Sequence, residues 1–175
     1  MKNSMKPFAI GGFSTGAGIA LLQASNKPGR FAGVISINAP LKLQDISSRF
    51  SSVVVAWNKF LSKINTSKGK MEFIANDPEN PHINYLRNPV SGVNELEKLM
   101  NLVEERLKYI KDPTLVIQGS EDPVVNPVSG REILKKLGAP KKELIRIDAK
   151  HHGILRGKEA GQVNAKVLEF LRSVF

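Results

Sequence analysis

The 175-residue sequence contains no cysteine, few aromatic side chains and no long apolar run. Without cysteine, the chain has no disulfide, no thiolate nucleophile and no zinc site built on sulfur. This absence is compatible with a reducing cytosol, and we expect a cytoplasmic protein. No stretch of about 18 consecutive apolar residues occurs, so the sequence predicts no membrane-spanning helix. One Trp and two Tyr leave few side chains on which nucleic-acid bases could stack.

The composition is that of a globular domain with a basic surface. Hydrophobic residues make up 41% of the chain and charged residues 24%, which excludes a disordered tail and predicts a packed core. The 26 Lys and Arg exceed the 16 Asp and Glu, giving a net charge of +10. The basic residues are spread from Lys2 to Arg172 without a long run. We interpret this charge as a solubilising surface with no specific nucleic-acid partner.

The N-terminus loosely resembles a secretory signal. Lys2 and Lys6 precede a mostly apolar stretch over residues 7–22. That stretch also holds four Gly and two hydroxyl residues, and Leu22 stands where a signal peptide has a small residue. We therefore interpret the segment as part of the folded domain.

Strand and helix patterns alternate along much of the chain. A short apolar strand over residues 8–10 enters Gly11-Gly12, a helix follows over residues 17–25, and a second buried strand covers residues 33–39. Three such elements within about 30 residues are the size of a parallel crossover unit. Further elements are predicted as a helix over 93–110, a strand over 114–117, a helix over 129–137, a strand over 144–147 and a helix over 157–175.

The alternation predicts an α/β fold with about four parallel strands and flanking helices. A segment over residues 41–92 interrupts it with amphipathic helices and a loop-rich stretch over residues 76–81. We accordingly divide the chain into a strand–helix–strand part over 1–40, a helical insertion over 41–92 and a C-terminal part over 93–175.

The segment Gly12-Phe13-Ser14-Thr15-Gly16 fits the G-x-S-x-G nucleophile elbow, between a predicted strand and a predicted helix. The two Gly allow a turn so sharp that the Ser side chain projects from a strained corner. Ser14 then lies at the positive end of a helix, where the Thr15 N–H can receive an oxyanion. The same pattern also fits a glycine-rich turn or a phosphate-binding loop.

A Ser nucleophile requires a His base and an orienting acid, which follow it in elbow-type hydrolases in the order Ser, acid, His. Asp122 follows the third predicted strand, and His151-His152 follows the fourth. Glu121 is a rival acid, Asp122 could be only a turn residue, and the His pair could be solvated. Adjacent His with no further ligand cluster do not form a metal site, and we expect neither metal nor cofactor.

The sequence resembles the α/β-hydrolase superfamily, and within it the branch of serine aminopeptidase-like and monoacylglycerol lipase-like hydrolases and small carboxylesterases. The resemblance covers nearly the whole chain. It depends on GFSTG followed by AGIALL, on PTLVIQGSEDPVV, on the HHGI loop and on an insertion placed like the family's cap.

The resemblance implies that Ser14 is the nucleophile, Asp122 the acid and His152 the general base. We prefer His152 to His151 because the family's His is usually followed, one residue on, by an aliphatic side chain, here Ile154. The insertion would form a cap that shapes an acyl pocket. The candidate lining residues are Phe50, Trp57 and Phe60, which could equally pack the cap against the core.

The chain departs from the family pattern at its front. The family has an eight-stranded sheet, with the elbow after the fifth strand and a second oxyanion donor in a loop after the third. Here the elbow strand begins at Phe8, so four strands and the oxyanion loop have no counterpart. We expect the C-terminal part of a longer protein, with its first strand at an exposed edge.

Two functions remain open. The first is a serine hydrolase that cleaves a small-molecule ester, or less favourably an amide, through an acyl-enzyme on Ser14. The second is a truncated, non-catalytic relative that acts as a binding or assembly module, self-associating or binding a partner chain through the edge strand.

Overall fold

The computed structural model describes residues 7–44, 51–63, 69–75, 82 and 85–175. The chain divides into two compact units, one formed by Met1–Gln44 and Met100–Phe175 and the other by Asp45–Leu99. In chain order the elements are β1 Ala9–Phe13, α1 Thr15–Asn26, β2 Gly33–Ile37, α2 Ser51–Lys63, β3 Phe73–Ala75, β4 Arg87–Pro89, α3 Val90–Arg106, β5 Thr114–Gly119, α4 Val128–Lys136, β6 Lys142–Ile147 and α5 Ala160–Val174. Short 3-10 turns cover Leu107–Tyr109 and Gly157–Glu159.

The first unit is built on a four-stranded sheet in the order β1-β2-β5-β6, with every neighbouring pair parallel. The two central strands, β2 and β5, are buried along their whole length. Their continuous apolar sequences are typical of parallel strands covered on both faces. This sheet and its helices confirm the predicted α/β fold.

One hydrophobic cluster of the first unit lies between the sheet and α5. Apolar side chains from β2, β5 and β6 pack there against α5 and against Ile154 of a loop. The close approach of α5 depends on Gly33, because a Cβ at this position would lie 2.8 Å from the Phe170 ring. The buried members of this cluster are Ile35, Ile37, Leu115, Ile117, Ile147, Ala149, Ile154, Val163 and Phe170.

Several boundaries differ from the sequence predictions, and two of them bear on the site or on the second unit. β1 runs through Gly11-Gly12 to Phe13, so the chain turns at Ser14 and not at the glycine pair. The glycines pair with β2 in register, Gly11 opposite Ile35 and Gly12 opposite Ser36. The helix predicted from residue 93 begins at Val90 as α3, and its predicted last turn is a 3-10 turn.

The second unit contains α2, the start of α3, and a two-stranded antiparallel sheet of β3 and β4. The sequence patterns missed these strands because each has only three residues and β4 is fully exposed. The Asn58 side chain connects α2 to the segment before β3 by bonding both N–H and C=O of Met71. The predicted loop over residues 76–81 lies outside the described residues.

The division at Gln44 and Leu99 overlaps the predicted insertion over 41–92, whose identity as a cap stays a prediction. No helix among the described residues is long and apolar enough to cross a membrane.

Candidate active site

Three loops that follow parallel strands meet at one edge of the sheet in the first unit. Ser14 directly follows β1, Asp122 comes three residues after the end of β5, and His152 comes five residues after the end of β6. The carboxyl ends of neighbouring parallel strands lie at the same edge, where sites in open α/β sheets collect. The topology therefore brings together residues that are 138 positions apart in sequence.

Ser14 has the backbone angles φ 53° and ψ −127°, in a region that residues other than glycine rarely adopt. The Ser14 N–H donates to the Ile37 C=O at 2.9 Å, and the Ser14 C=O accepts from Ala17 N–H at 2.9 Å. These bonds hold the strained residue between β2 and α1, which directs its side chain out of the turn.

The turn depends on one of the two glycines in the motif. A Cβ on Gly12 would lie 2.2 Å from the Gly16 carbonyl oxygen, so β1 and α1 approach too closely for any side chain. A Cβ on Gly16 would have no described heavy atom within 4 Å. Among the described atoms, the close approach that requires glycine occurs at Gly12, whereas there is space for a side chain at Gly16.

Ser14, His152 and Asp122 form a continuous hydrogen-bonded chain. The Ser14 Oγ lies 2.8 Å from His152 Nε2, and His152 Nδ1 lies 2.7 Å from Asp122 Oδ2. Because an ionised carboxylate only accepts, the His152 Nδ1 carries the proton in this arrangement and Nε2 faces the Ser hydroxyl as an acceptor. This is the arrangement in which an imidazole can take the proton of a Ser hydroxyl.

The Asp122 side chain is completely buried, and backbone groups compensate its charge. Its Oδ1 accepts from the N–H groups of Val124 at 2.8 Å and Val125 at 2.9 Å. The Gln44 side chain donates to the Asp122 C=O at 3.0 Å. Since Oδ1 is occupied by the loop, Oδ2 is left to orient His152.

The imidazole of His152 is also held by packing, and 15% of its side chain is exposed. The Phe13 ring lies against it with ring centroids 4.9 Å apart. Two residues on, Ile154 is fully buried in the core, and its N–H donates to the His152 C=O at 2.9 Å. The aliphatic residue after the His pair therefore anchors the loop that carries His152.

The rival residues lie outside this hydrogen-bonded chain. His151 Nε2 contacts the buried Glu159 carboxylate at 2.9 Å. Glu121 is 58% exposed, and its carboxylate lies 3.8 Å from the Lys150 ammonium. Adjacent residues point in different directions in a loop, so the structure separates His151 from His152 and Glu121 from Asp122.

Thr15 is the first residue of α1, so its N–H has no acceptor within the helix. It directly follows Ser14 at the positive end of the helix dipole. An oxyanion formed beside Ser14 could accept from this N–H, as the motif predicts.

Sequence reasoning missed two residues that hold His152. The motif leaves Phe13 as a variable position, and the strand pattern places Asn38 near the end of a predicted strand. Asn38 is fully buried, and its side-chain Nδ2 donates to the His152 C=O at 2.9 Å. The one sequence signal for Asn38 is its place directly after a buried strand, because Asn tolerates positive φ better than most residues.

The candidate lining residues lie in the second unit or outside the described residues. Trp57 and Phe60 stack on each other with ring centroids 5.7 Å apart and are each about half exposed. Phe50 lies outside the described residues. Their role in an acyl pocket stays a prediction. Within the described ranges, no group of three or more His, Asp or Glu is placed to hold a metal ion.

Residues 1–159 match the sequence model of a family described as serine aminopeptidase, S33. A curated relative, the thermostable monoacylglycerol lipase of Bacillus sp. (strain H-257), is 23% identical over 177 residues that include 97% of this chain. This chain spans 64% of the length of that relative.

Solved structures of lipolytic enzymes share the fold. A structure from the work on LipS and LipT, two metagenome-derived lipolytic enzymes, superimposes with a TM-score of 0.78 at 22% identity, covering 96% of this chain and 66% of that one. The monoacylglycerol lipase of Paleococcus ferrophilus superimposes with a TM-score of 0.73 at 20% identity, covering 97% of this chain and 70% of that one.

Proposed function

The chain belongs to the serine aminopeptidase, S33, family of α/β-hydrolases, and on that premise we propose that it is a serine hydrolase acting through an acyl-enzyme on Ser14. The observation that carries the proposal is the hydrogen-bonded chain from Ser14 Oγ through His152 to Asp122. We propose a carboxylic ester as the substrate, because relatives that are similar in sequence and fold are described as monoacylglycerol lipases and lipolytic enzymes.

In the first half of the reaction, Ser14 Oγ attacks the ester carbonyl carbon while His152 Nε2 takes the hydroxyl proton. The carbonyl π electrons move to the oxygen, giving a tetrahedral oxyanion. Asp122 keeps His152 in the tautomer that presents Nε2 to Ser14, and stabilises the imidazolium that forms. The oxyanion then collapses, the bond to the leaving oxygen breaks, and His152 gives its proton to the departing alcohol.

In the second half, His152 Nε2 removes a proton from water, which attacks the acyl carbon. Collapse of the second tetrahedral oxyanion breaks the bond to Ser14 Oγ, and His152 returns the proton to the Ser hydroxyl. The products are one carboxylic acid and one alcohol, and the enzyme regains its starting protonation.

The Thr15 N–H is the backbone group that we assign to both oxyanions. It follows the nucleophile directly and points from the N-terminus of α1, where the helix dipole favours negative charge. A donor already fixed before the reaction stabilises the developing charge without reorganisation, and one such donor contributes about 3–4 kcal/mol in well-studied hydrolases.

The proposal is tested by the hydrolysis of p-nitrophenyl butyrate and of a monoacylglycerol by the purified chain. We expect turnover by the parent protein and its loss, by a factor of about 10⁴ or more, in Ser14→Ala. Ser173→Ala is the matched control, because Ser173 accepts from Lys141 near the start of β6, at the opposite end of that strand from the site.

Hydrolysis that persists in Ser14→Ala would contradict the proposal. A folded parent protein that neither turns over these esters nor reacts with a serine-directed probe would instead support the non-catalytic binding module.

A further inference from the structure

Asn38 is a buried polar residue that the mechanism above does not use. It directly follows β2, has no exposed surface and adopts φ 46°, a left-handed conformation that Asn tolerates better than most residues. Its own N–H donates to the Ile117 C=O at 2.9 Å, which fixes its backbone to β5. The side chain is therefore presented from a rigid point at the carboxyl edge of the sheet.

Both ends of the Asn38 carboxamide are engaged. Its Oδ1 accepts from the Gly119 N–H at 2.8 Å, and its Nδ2 donates to the His152 C=O at 2.9 Å. A backbone N–H can only donate and a backbone C=O can only accept. The two partners therefore define the orientation of the amide without ambiguity.

Asn38 and the residue before it contact the three segments that carry the reacting groups. Gly119 is the last residue of β5 and begins the loop to Asp122. The residue before Asn38, Ile37, accepts from the Ser14 N–H at 2.9 Å. The remaining contact, to the His152 C=O, is a long-range hydrogen bond from a buried side chain to the backbone of that loop.

We propose that Asn38 is the positioning residue that holds His152 at hydrogen-bonding distance from Ser14 Oγ. This inference rests on the proposed function, because it assigns a second layer of support to the same site. A neutral amide is suited to this task, because its N–H donor does not depend on pH. A carboxylate in the same place would accept from Gly119 but could not donate to the His152 C=O.

The consequence is a specific effect on the chemical step. Without the Nδ2 donor, the His152 C=O loses this long-range bond and keeps the short-range bond from the Ile154 N–H. A shift of about 1 Å between a base and its nucleophile is enough to slow a reaction by about 100-fold. Asn38 has no exposed surface with which to contact a substrate, so we expect the effect to fall on kcat.

Two variants separate the contacts. Asn38→Gly accepts φ 46° without strain and removes both side-chain bonds. Asn38→Asp keeps the shape and the acceptor for Gly119 but loses the donor to His152. We expect both variants to lower kcat by about 10- to 100-fold while KM changes by less than about twofold.

Asp112→Ala is the matched control for lost stability. Asp112 is 2% exposed and accepts from the backbone N–H groups of Gly29 and Phe31, so it is a buried tether with two contacts like Asn38. It precedes β5, at the opposite end of that strand from Gly119. We expect a lower unfolding midpoint in Asp112→Ala with an unchanged kcat.

The direct readout is the imidazole of His152 in protein labelled with ¹⁵N-histidine. In the parent we expect a downfield Nδ1 proton signal from the bond to Asp122, present also in Asp112→Ala and lost or shifted in both Asn38 variants. Unchanged His152 signals and an unchanged kcat in folded Asn38→Gly and Asn38→Asp would overturn the inference.

The inference and the proposed function fail in different ways. A parent chain that shows the His152 signal and its dependence on Asn38, but no ester hydrolysis, would refute the function and support the positioning role. A parent chain that hydrolyses esters at the same rate with and without the Asn38 amide would refute the positioning role alone.

Discussion

Ser14 and Asp122 are held mainly by backbone groups, whereas His152 is held by both backbone and side-chain groups. Ser14 is held in a strained conformation by two backbone bonds, and Asp122 Oδ1 is occupied by two N–H groups of its own loop. The His152 C=O is bonded by Ile154 and Asn38. At the scale of the residue, the site is therefore pre-organised, because contacts with the surrounding backbone and side chains hold each of the three residues.

The two adjacent acids at residues 121 and 122 make a matched pair for a test of roles. We expect Asp122→Asn to lower kcat by about 10³- to 10⁴-fold. An amide has one acceptor oxygen, so it cannot accept both from His152 Nδ1 and from the loop N–H groups as the two carboxylate oxygens do. Glu121→Gln should leave kcat unchanged, since the Glu121 side chain is exposed and its carboxylate lies 3.8 Å from the Lys150 ammonium, outside the hydrogen-bonded chain. Steady-state kinetics on one ester measure both, and equal losses in the two variants would contradict the assignment.

The proximity of Ser14, Asp122 and His152 was predictable from the sequence, because each follows a strand pattern and parallel strands end at one edge. The choice of Asp122 over Glu121 was predictable only from the family resemblance, since neighbouring acids have the same spacing to Ser14. Asn38 was not predictable from periodicity, because its role depends on the register that places it beside Gly119 and the His152 loop.

At the scale of the element, the junction of β1 and α1 depends on how closely the strand approaches the first turn of the helix. We expect Gly12→Ala to prevent folding or to lower the unfolding midpoint by more than 10 °C, because its Cβ would overlap the Gly16 carbonyl at 2.2 Å. Such overpacking corresponds to a loss of about 2–3 kcal/mol or more in the free energy of unfolding. Gly16→Ala, the matched change four residues on, should leave the midpoint unchanged or raise it, since Ala favours the helix. Thermal unfolding followed by circular dichroism distinguishes the two.

A midpoint for Gly12→Ala equal to that of the parent would contradict the described junction. A large loss in Gly16→Ala would contradict the open space described beside Gly16.

The loop between β6 and α5 has a second His–carboxylate contact, which predicts a pH dependence. Burial raises the pKa of Glu159, but the hydrogen bond from His151, a backbone hydrogen bond and the charges of His151 and Lys158 outweigh it and lower the pKa below 4.5. A lowered pKa means that the folded state binds fewer protons than the unfolded state. The contribution of Glu159 to stability is therefore complete above pH 4.5, and it is lost as the pH falls through the lowered pKa.

We therefore expect Glu159→Gln to have a lower unfolding midpoint than the parent at a pH above 4.5, with a difference that shrinks as the pH falls further. Midpoints measured across a pH series check this, with the exposed Glu121→Gln as the control whose difference from the parent stays small throughout. A constant difference for Glu159→Gln at every pH would refute the role of this carboxylate.

The order and type of the main elements were predictable, whereas several ends were not. The buried strands β2 and β5 are continuous apolar runs bounded by turn residues, which is a strong local signal. β1 extends through Gly11-Gly12 because pairing with β2 outweighs the low strand propensity of glycine. The three-residue strands β3 and β4 are too short to show a period.

At the scale of the whole molecule, β1 lies at the end of the sheet order and pairs only with β2 among the described strands. The N–H and C=O groups along such an edge pair readily with a strand of another chain. We expect the chain to self-associate or to bind a partner chain through β1. Sedimentation velocity over a concentration series tests self-association, and a single monomeric species at every concentration would count against it.

The account depends most on Ser14 as a nucleophile activated by His152, and covalent labelling tests this most directly. We expect a fluorophosphonate probe to add one phosphonyl group to the parent chain, located at Ser14 by peptide mass spectrometry. No adduct should form in Ser14→Ala, labelling should be at least about 100-fold slower in His152→Ala, and Ser173→Ala should react like the parent. An adduct that persists in Ser14→Ala, or a folded parent chain that never reacts, would contradict the account.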